Sequence, residues 1–204
     1  MTVPCPTCGQ PMPASRHGLE AAAAPALPTP ERWQVDVGPR SFAASWRWLT
    51  WSSLLLVPFT LFWNGILIAM AAGATEGFTH PERLLLGLAV PHVWVGLGLA
   101  YTTLATFVNG TRVTVQDGRL VVKKGPLPWL GNRDLAGSDV QQLFVVEKST
   151  RNKVTFELCA LLRDGTRKSV LSGLERHQAR FLEARCEQAL GIIDARVDGE
   201  VRRD

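Results

Sequence analysis

The chain has 204 residues, enough for one ordinary domain or for a small domain with membrane segments. Its net charge of +4 is too mild to argue for nucleic acid, and no basic stripe interleaved with aromatics supports such a partner. No Ser/His/Asp arrangement or glycine-rich phosphate loop is present, so nothing in the sequence points to an enzyme.

At the start, Cys5-Pro-Thr-Cys8-Gly has the spacing of half a zinc knuckle (residues 1–10). A closed zinc site needs four ligands, and no second Cys-x-x-Cys follows. His17 stands alone, while Cys159 and Cys186 read as small core residues. Three readings of Cys5 and Cys8 remain open: a vestige without metal, a zinc site completed by a second copy in a homodimer, or an exposed dithiol. Residues 11–31 are rich in Pro and Ala and read as a flexible linker. Within 32–40, Trp33-Gln-Val-Asp-Val37 alternates apolar and polar, a short strand closed by Gly38-Pro39. A lone strand is unstable, so it is expected to pair with an edge of the domain after the apolar runs.

Two uncharged runs follow, Trp48–Gly73 and Leu84–Val108, each about 25 residues where a bilayer core needs about 20. They predict transmembrane helices over 46–73 and 84–108, antiparallel across an external loop at 74–83. The first apolar run begins too far in for a cleaved signal peptide. Arg32, Arg40 and Arg47 precede the first run; Arg112, Arg119, Lys123 and Lys124 follow the second. That bias places both termini in the cytoplasm, in a multi-pass protein of the inner membrane. In that reducing compartment the four cysteines are expected as thiols. Asn64 and His92 fall at equal depth, roughly 12–13 Å from the outer ends, and are expected to bond as an interhelical polar pair beside Trp63 and Trp94. Gly96, Gly98 and Ala100 offer a small surface for close approach.

From Asn109 the pattern changes to short strands. Thr111–Gln116 and Arg119–Lys124 flank Asp117-Gly118, a two-residue hairpin signal. Gly125-Pro-Leu-Pro-Trp129 breaks the run. Strands are expected near Val140–Glu147, over Val154–Leu162 with Val154, Phe156, Leu158, Ala160 and Leu162 on one face, and over Arg167–Leu171. A helix is expected from Leu174 to Leu190, stopped by Gly191, with Leu174, Gln178, Phe181, Leu182, Cys186, Ala189 and Leu190 along one side. The fold class is thus α+β: a transmembrane hairpin plus a small antiparallel β-barrel or sandwich (109–194) capped by a C-terminal helix, with a tail at 195–204.

The stretches NGTRVTVQDGRLVVKKGPLPWLGNRDL, ALLRDGTRKSVLSGLE and QARFLEARCEQALGIIDARVDGE together resemble a family of bacterial two-span membrane proteins without an assigned activity. The cytosolic part of that family is similar to a bacterial pleckstrin-homology (PH-like) domain. The resemblance implies a PH-like fold in a membrane setting and no catalytic residue. Beside it, Arg112, Arg119, Lys123 and Lys124 are candidate contacts to anionic lipid headgroups at the inner leaflet. Lys148, Arg151, Asn152 and Lys153 read as a solvated loop tip. The expected role is a non-enzymatic module at the inner membrane, with the bilayer and either a lipid headgroup or a protein as partners, and no cofactor unless Cys5 and Cys8 hold zinc. The alternatives are a zinc- or thiol-responsive membrane sensor using Cys5 and Cys8, or a membrane enzyme using His92 with His80.

Overall fold

The computed structural model describes residues 2–4, 11–13, 27–73, 80–150, 153–193, 195, 197 and 201. Its described part is α+β, with two antiparallel sheets, one further strand pair and three α-helices. Strands β1 (Thr2–Pro4) and β2 (Pro11–Pro13) form that pair, Val3 opposite Met12. Cys5, Cys8 and His17 lie outside the described residues, as does most of the expected linker.

The five-stranded sheet contains β3 (Gln34–Val37), β4 (Phe42–Arg47), β5 (Gly110–Gln116), β6 (Arg119–Gly125) and β7 (Arg133–Ala136), adjacent in that order. The expected strand at Trp33–Val37 does join the sheet, at its edge. It reaches the domain through β4, a strand the sequence reading passed over. Residues 46 and 47, expected to open the first helix, belong to β4. There Phe42 and Ala44 face the core at 2% and 1% exposure, which fixes the alternation as a strand. The Asp117-Gly118 turn has φ of 50° and 69°, both positive as a two-residue hairpin of this type needs.

Between β4 and β5 the chain leaves the sheet, forms a helical hairpin and returns. Trp51–Leu55 makes a 3-10 turn, then come α1 (Leu56–Gly73) and α2 (His80–Val108). Among the described residues one helix, Trp51–Ala72, is long and apolar enough to cross a membrane, with mean hydropathy 2.0 and 6% of that window buried in the molecule. Helix α2 starts at His80, four residues before the expected Leu84, so it takes in Glu82 and Arg83. Pro81 stands in its first turn, where a missing N–H costs nothing.

The two helices meet antiparallel. Thr60 and Thr103 hydroxyls bond at 2.7 Å, and the Asn64 amide donates to the carbonyls of Thr60 (2.9 Å) and Gly96 (3.2 Å). His92 stacks on Trp63 at 5.7 Å, and the Trp63 indole donates to the His92 carbonyl. Gly96 is the close approach, since a Cβ there would lie 2.7 Å from Asn64 Oδ1; Gly98 faces open space. Trp94, expected beside this cluster, is 71% exposed.

The second sheet has the order β10-β9-β8, built from β8 (Val140–Thr150), β9 (Lys153–Leu162) and β10 (Arg167–Leu174). Val154 is exposed, against expectation, because the β8–β9 hairpin runs on past the core. Arg133 ties the two sheets at their edges, its Nε donating to the Ser169 carbonyl at 2.9 Å. Helix α3 (Arg176–Leu190) covers both sheets and ends at Gly191 in the left-handed region, φ 70°. Its Phe181, Leu182 and Cys186 are buried as expected, with Ala179. Gln178 instead caps the helix, its amide oxygen accepting from the Glu175 N–H.

Glu183 and Glu187 are buried on α3 too, which the apolar stripe did not announce. A bulge between Val140 and Gln142 disturbs the pairing of edge strand β8. Glu187 Oε1 answers it, accepting from Gln142 Nε2 at 2.6 Å and from the Leu143 N–H at 3.3 Å. Further along the same edge, Val201 of the expected tail donates its N–H to the Val145 carbonyl at 3.0 Å. Cys159 is half-buried and Cys186 fully buried, both free thiols. Burial first, then Glu157, raises Cys159 to about 11; burial raises Cys186 further.

Candidate functional site

Antiparallel register aligns side chains across the sheet, so Ser45, Arg112 and Lys123 form one row on one face. Two residues toward the helices the next row is Arg47, Gly110 and Gly125. Small residues make the floor: Ser45 is short, and a Cβ on Gly110 would meet the Trp46 carbonyl at 2.6 Å. Long cations make the rim. The result is an open groove of about 1160 Å³ lined by Arg32, Arg47, Arg112, Lys123, Lys124 and Arg133. Asp134 is the one carboxylate among its lining residues.

Three of the four expected headgroup contacts, Arg112, Lys123 and Lys124, therefore come together. Arg119 does not line the groove; it pairs with Asp134 at 2.9 Å on the exposed surface. Such an exposed pair adds little stability, but it gives the lone carboxylate a cation partner from outside the groove lining. Lys124 is the partly buried member. Its main-chain N–H donates to Asn132 Oδ1 at 2.8 Å, and its ammonium lies over Gly131, where a Cβ would be 2.8 Å away. Burial, and then the nearby Arg133, hold its pKa below the ordinary lysine range. A bound anion would oppose both effects by favouring the charged ammonium.

The later basic group differs from the expected solvated tip. Lys148 pairs with buried Glu157 at 2.5 Å, and that bond raises the lysine pKa. The Ser169 hydroxyl donates to the other Glu157 oxygen. Arg151 and Asn152 lie outside the described residues.

Compared with known proteins, the chain matches no family model and no curated protein. Among the described residues no three His, Cys, Asp or Glu side chains are placed to hold a metal. The groove is suited to attract and seat an anion: clustered charge in a concave, partly desolvated surface strengthens the local field. Arg32 and Arg47 entered the sequence reading only as charges setting topology, and Arg133 not at all, because they sit on three separate segments that only the sheet brings together.

The junction beneath the groove is stiff. Asn109, the residue after α2, is fully buried and holds Leu127 twice, accepting from its N–H at 2.7 Å and donating to its carbonyl at 3.1 Å. Trp48 donates its indole N–H to Thr111 at 2.8 Å. Asn109→Ala is expected to destabilise the β domain by about 2 kcal/mol, the usual cost of stranding buried polar groups. Denaturant titration of the detergent-solubilised chain, followed by tryptophan fluorescence, measures this; an unchanged midpoint would remove the junction from the account.

Proposed function

We propose that this chain is a membrane-anchored, non-enzymatic interaction module that holds a basic groove against anionic headgroups of the inner leaflet. In this reading α1 and α2 both cross the bilayer as a hairpin, with the two termini and the PH-like β domain in the cytoplasm. The observation that carries it is where the groove lies. Arg47 and Gly110, at the ends of β4 and β5, line it, and the same two strands continue directly into the helical hairpin. A groove built on those strand ends sits at the foot of the membrane stem. The excess of Arg and Lys beside both helix feet agrees with a cytoplasmic placement.

Each cation near an anionic leaflet contributes about 1 kcal/mol of attraction, so three acting together amount to about 3 kcal/mol, roughly a hundredfold in affinity. The test is native mass spectrometry of the full chain released from detergent with equimolar anionic and zwitterionic lipids. Anionic lipid is expected to be retained preferentially and lost as salt rises. Replacing Arg112, Lys123 and Lys124 together by Gln should cut retention by one to two orders of magnitude. Equal retention of both lipids by the unaltered chain would overturn the headgroup reading and leave a protein as the partner to seek by crosslinking.

A further inference from the structure

The stretch Gly125-Pro-Leu-Pro-Trp-Leu130 leads out of β6, and only its first residue lines the groove. Its main chain is fixed at successive points. Asn109 grips Leu127 through both its N–H and its carbonyl, and the Tyr101 hydroxyl donates to the Pro128 carbonyl. The Trp129 ring lies parallel to Tyr101 at 6.1 Å and meets Trp48 edge-on at 5.1 Å. After it, Gly131 takes φ of 94°, a conformation suited to glycine, and turns the chain back toward β7. The next side chain in the loop after Trp129, Leu130, is 89% exposed.

A loop this well held has no need to leave a leucine in water. Its position explains the choice. Tyr101 precedes Asn109 by eight positions, ~12 Å along α2, and their two side chains reach the consecutive residues Pro128 and Leu127 from either end of that stretch, so the loop lies against the last turns of the helix. Tyr101 belongs to the uncharged run 84–108, and the loop therefore stands alongside that run. Leu49 and Trp51, at the foot of α1, are also exposed, Trp51 by 80%. Aromatic rings whose bodies are apolar and whose edges are polar prefer the membrane–water boundary, and exposed leucine prefers the acyl chains just beyond it.

We propose that residues 126–130 are a wedge inserted into the cytoplasmic leaflet, Trp129 at headgroup level and Leu130 among the outermost acyl carbons. The wedge rests on the reading that the helical hairpin is membrane-embedded. It adds a second point of attachment away from the hairpin axis, which fixes the tilt of the β domain and keeps the groove facing lipid. Its occupant is the bilayer itself, because the wedge is continuous with the apolar surface of α2.

The experiment places an environment-sensitive nitrobenzoxadiazole label at position 130 (Leu130→Cys) in the full chain, reconstituted in liposomes. The same label at exposed Gln116 (Gln116→Cys), six residues along β5 from Gly110 and so ~20 Å from the helix foot, is the control. Cys5 and Cys8 are replaced by Ser; the buried thiol of Cys186 and the half-buried, poorly ionised thiol of Cys159 react slowly. Lipids carrying a doxyl quencher high on the acyl chain are expected to quench position 130 at least threefold more than position 116, with aqueous iodide giving the reverse order. Iodide quenching at 130 equal to that at 116, in a chain that floats with the liposomes, overturns the wedge alone. Protection of 130 from both quenchers means that protein covers the leucine, which overturns the bilayer as occupant. A chain that does not float with liposomes overturns the membrane reading and the wedge with it.

Discussion

Residues 109–204 expressed alone are expected to stay unfolded or aggregate, although they contain six of the eight strands of the two sheets. Cutting at Asn109 removes β4, which hydrogen-bonds the length of β5 from Phe42↔Val115 to Arg47↔Gly110. With it go Phe42 and Ala44, both in the core cluster, and Trp33, whose ring stacks on Trp46 at 4.0 Å. Loss of one buried Phe costs about 3–5 kcal/mol, and a domain holds only about 5–15 kcal/mol in all. The exposed edge of β5 then becomes a template for pairing between molecules. The converse is the sharper test. Trp48 still donates its N–H to the Asn109 carbonyl at 3.2 Å, so the sheet remains zipped up to that pair. A chain in which residues 27–48 run through Asn-Gly into 109–204 should therefore fold without its helices, since two residues suffice to join neighbouring antiparallel strands. Circular dichroism, gel filtration and urea melts compare the two. Cooperative unfolding of 109–204 by itself would sink the claim that β4 is integral.

Phe181→Ala is expected to cost about 3–5 kcal/mol and to be the most damaging single truncation in the domain. Phe181 is 2% exposed on α3 and meets two rings from the chain before the helical hairpin: Phe42 at 6.2 Å and Trp33 edge-on at 6.2 Å. Arg185 closes over the ring at 5.7 Å. Removing the ring opens a cavity where the helix, β3 and β4 converge, and a fixed backbone fills it poorly. Phe181→Leu keeps most of the volume and should cost less than about 1.5 kcal/mol. Denaturant midpoints of the helix-free chain give both values directly. A loss under 1 kcal/mol for the alanine variant would mean that α3 is held elsewhere, by Leu182, Cys186 and the Glu187 bond to β8.

Read from the chain alone, the local signals gave the right elements wherever one residue pattern had one stable outcome. The Asp117-Gly118 turn, the alternation around Val113 and Val115, the C-terminal amphipathic helix and its Gly191 stop are all of this kind. So was the strand at 34–37, which needed a partner because an isolated strand cannot satisfy its main chain. The helix boundaries were misplaced where two patterns overlap: Trp46 and Trp48 precede an apolar run and look like its lip, yet Trp46 lies in β4. Strand β7 was missed because four residues carrying Arg133, Asp134 and one inward leucine show no clear period.

Composition and order along the chain determined that this protein has an apolar helical segment, a β domain of alternating strands and a basic stretch beside the helix foot. Each follows from transfer energetics acting on neighbouring residues. Only the tertiary structure decided that the helices interrupt a sheet, because pairing of β4 with β5 spans more than sixty residues and leaves no mark within either strand. The same long-range pairing gathers Arg32, Arg47, Arg112 and Lys123 into one groove and stands Trp129 against Tyr101 and Trp48. Charge and aromatic surface are counted along a sequence, but the field and the contact they make depend on distances that folding sets.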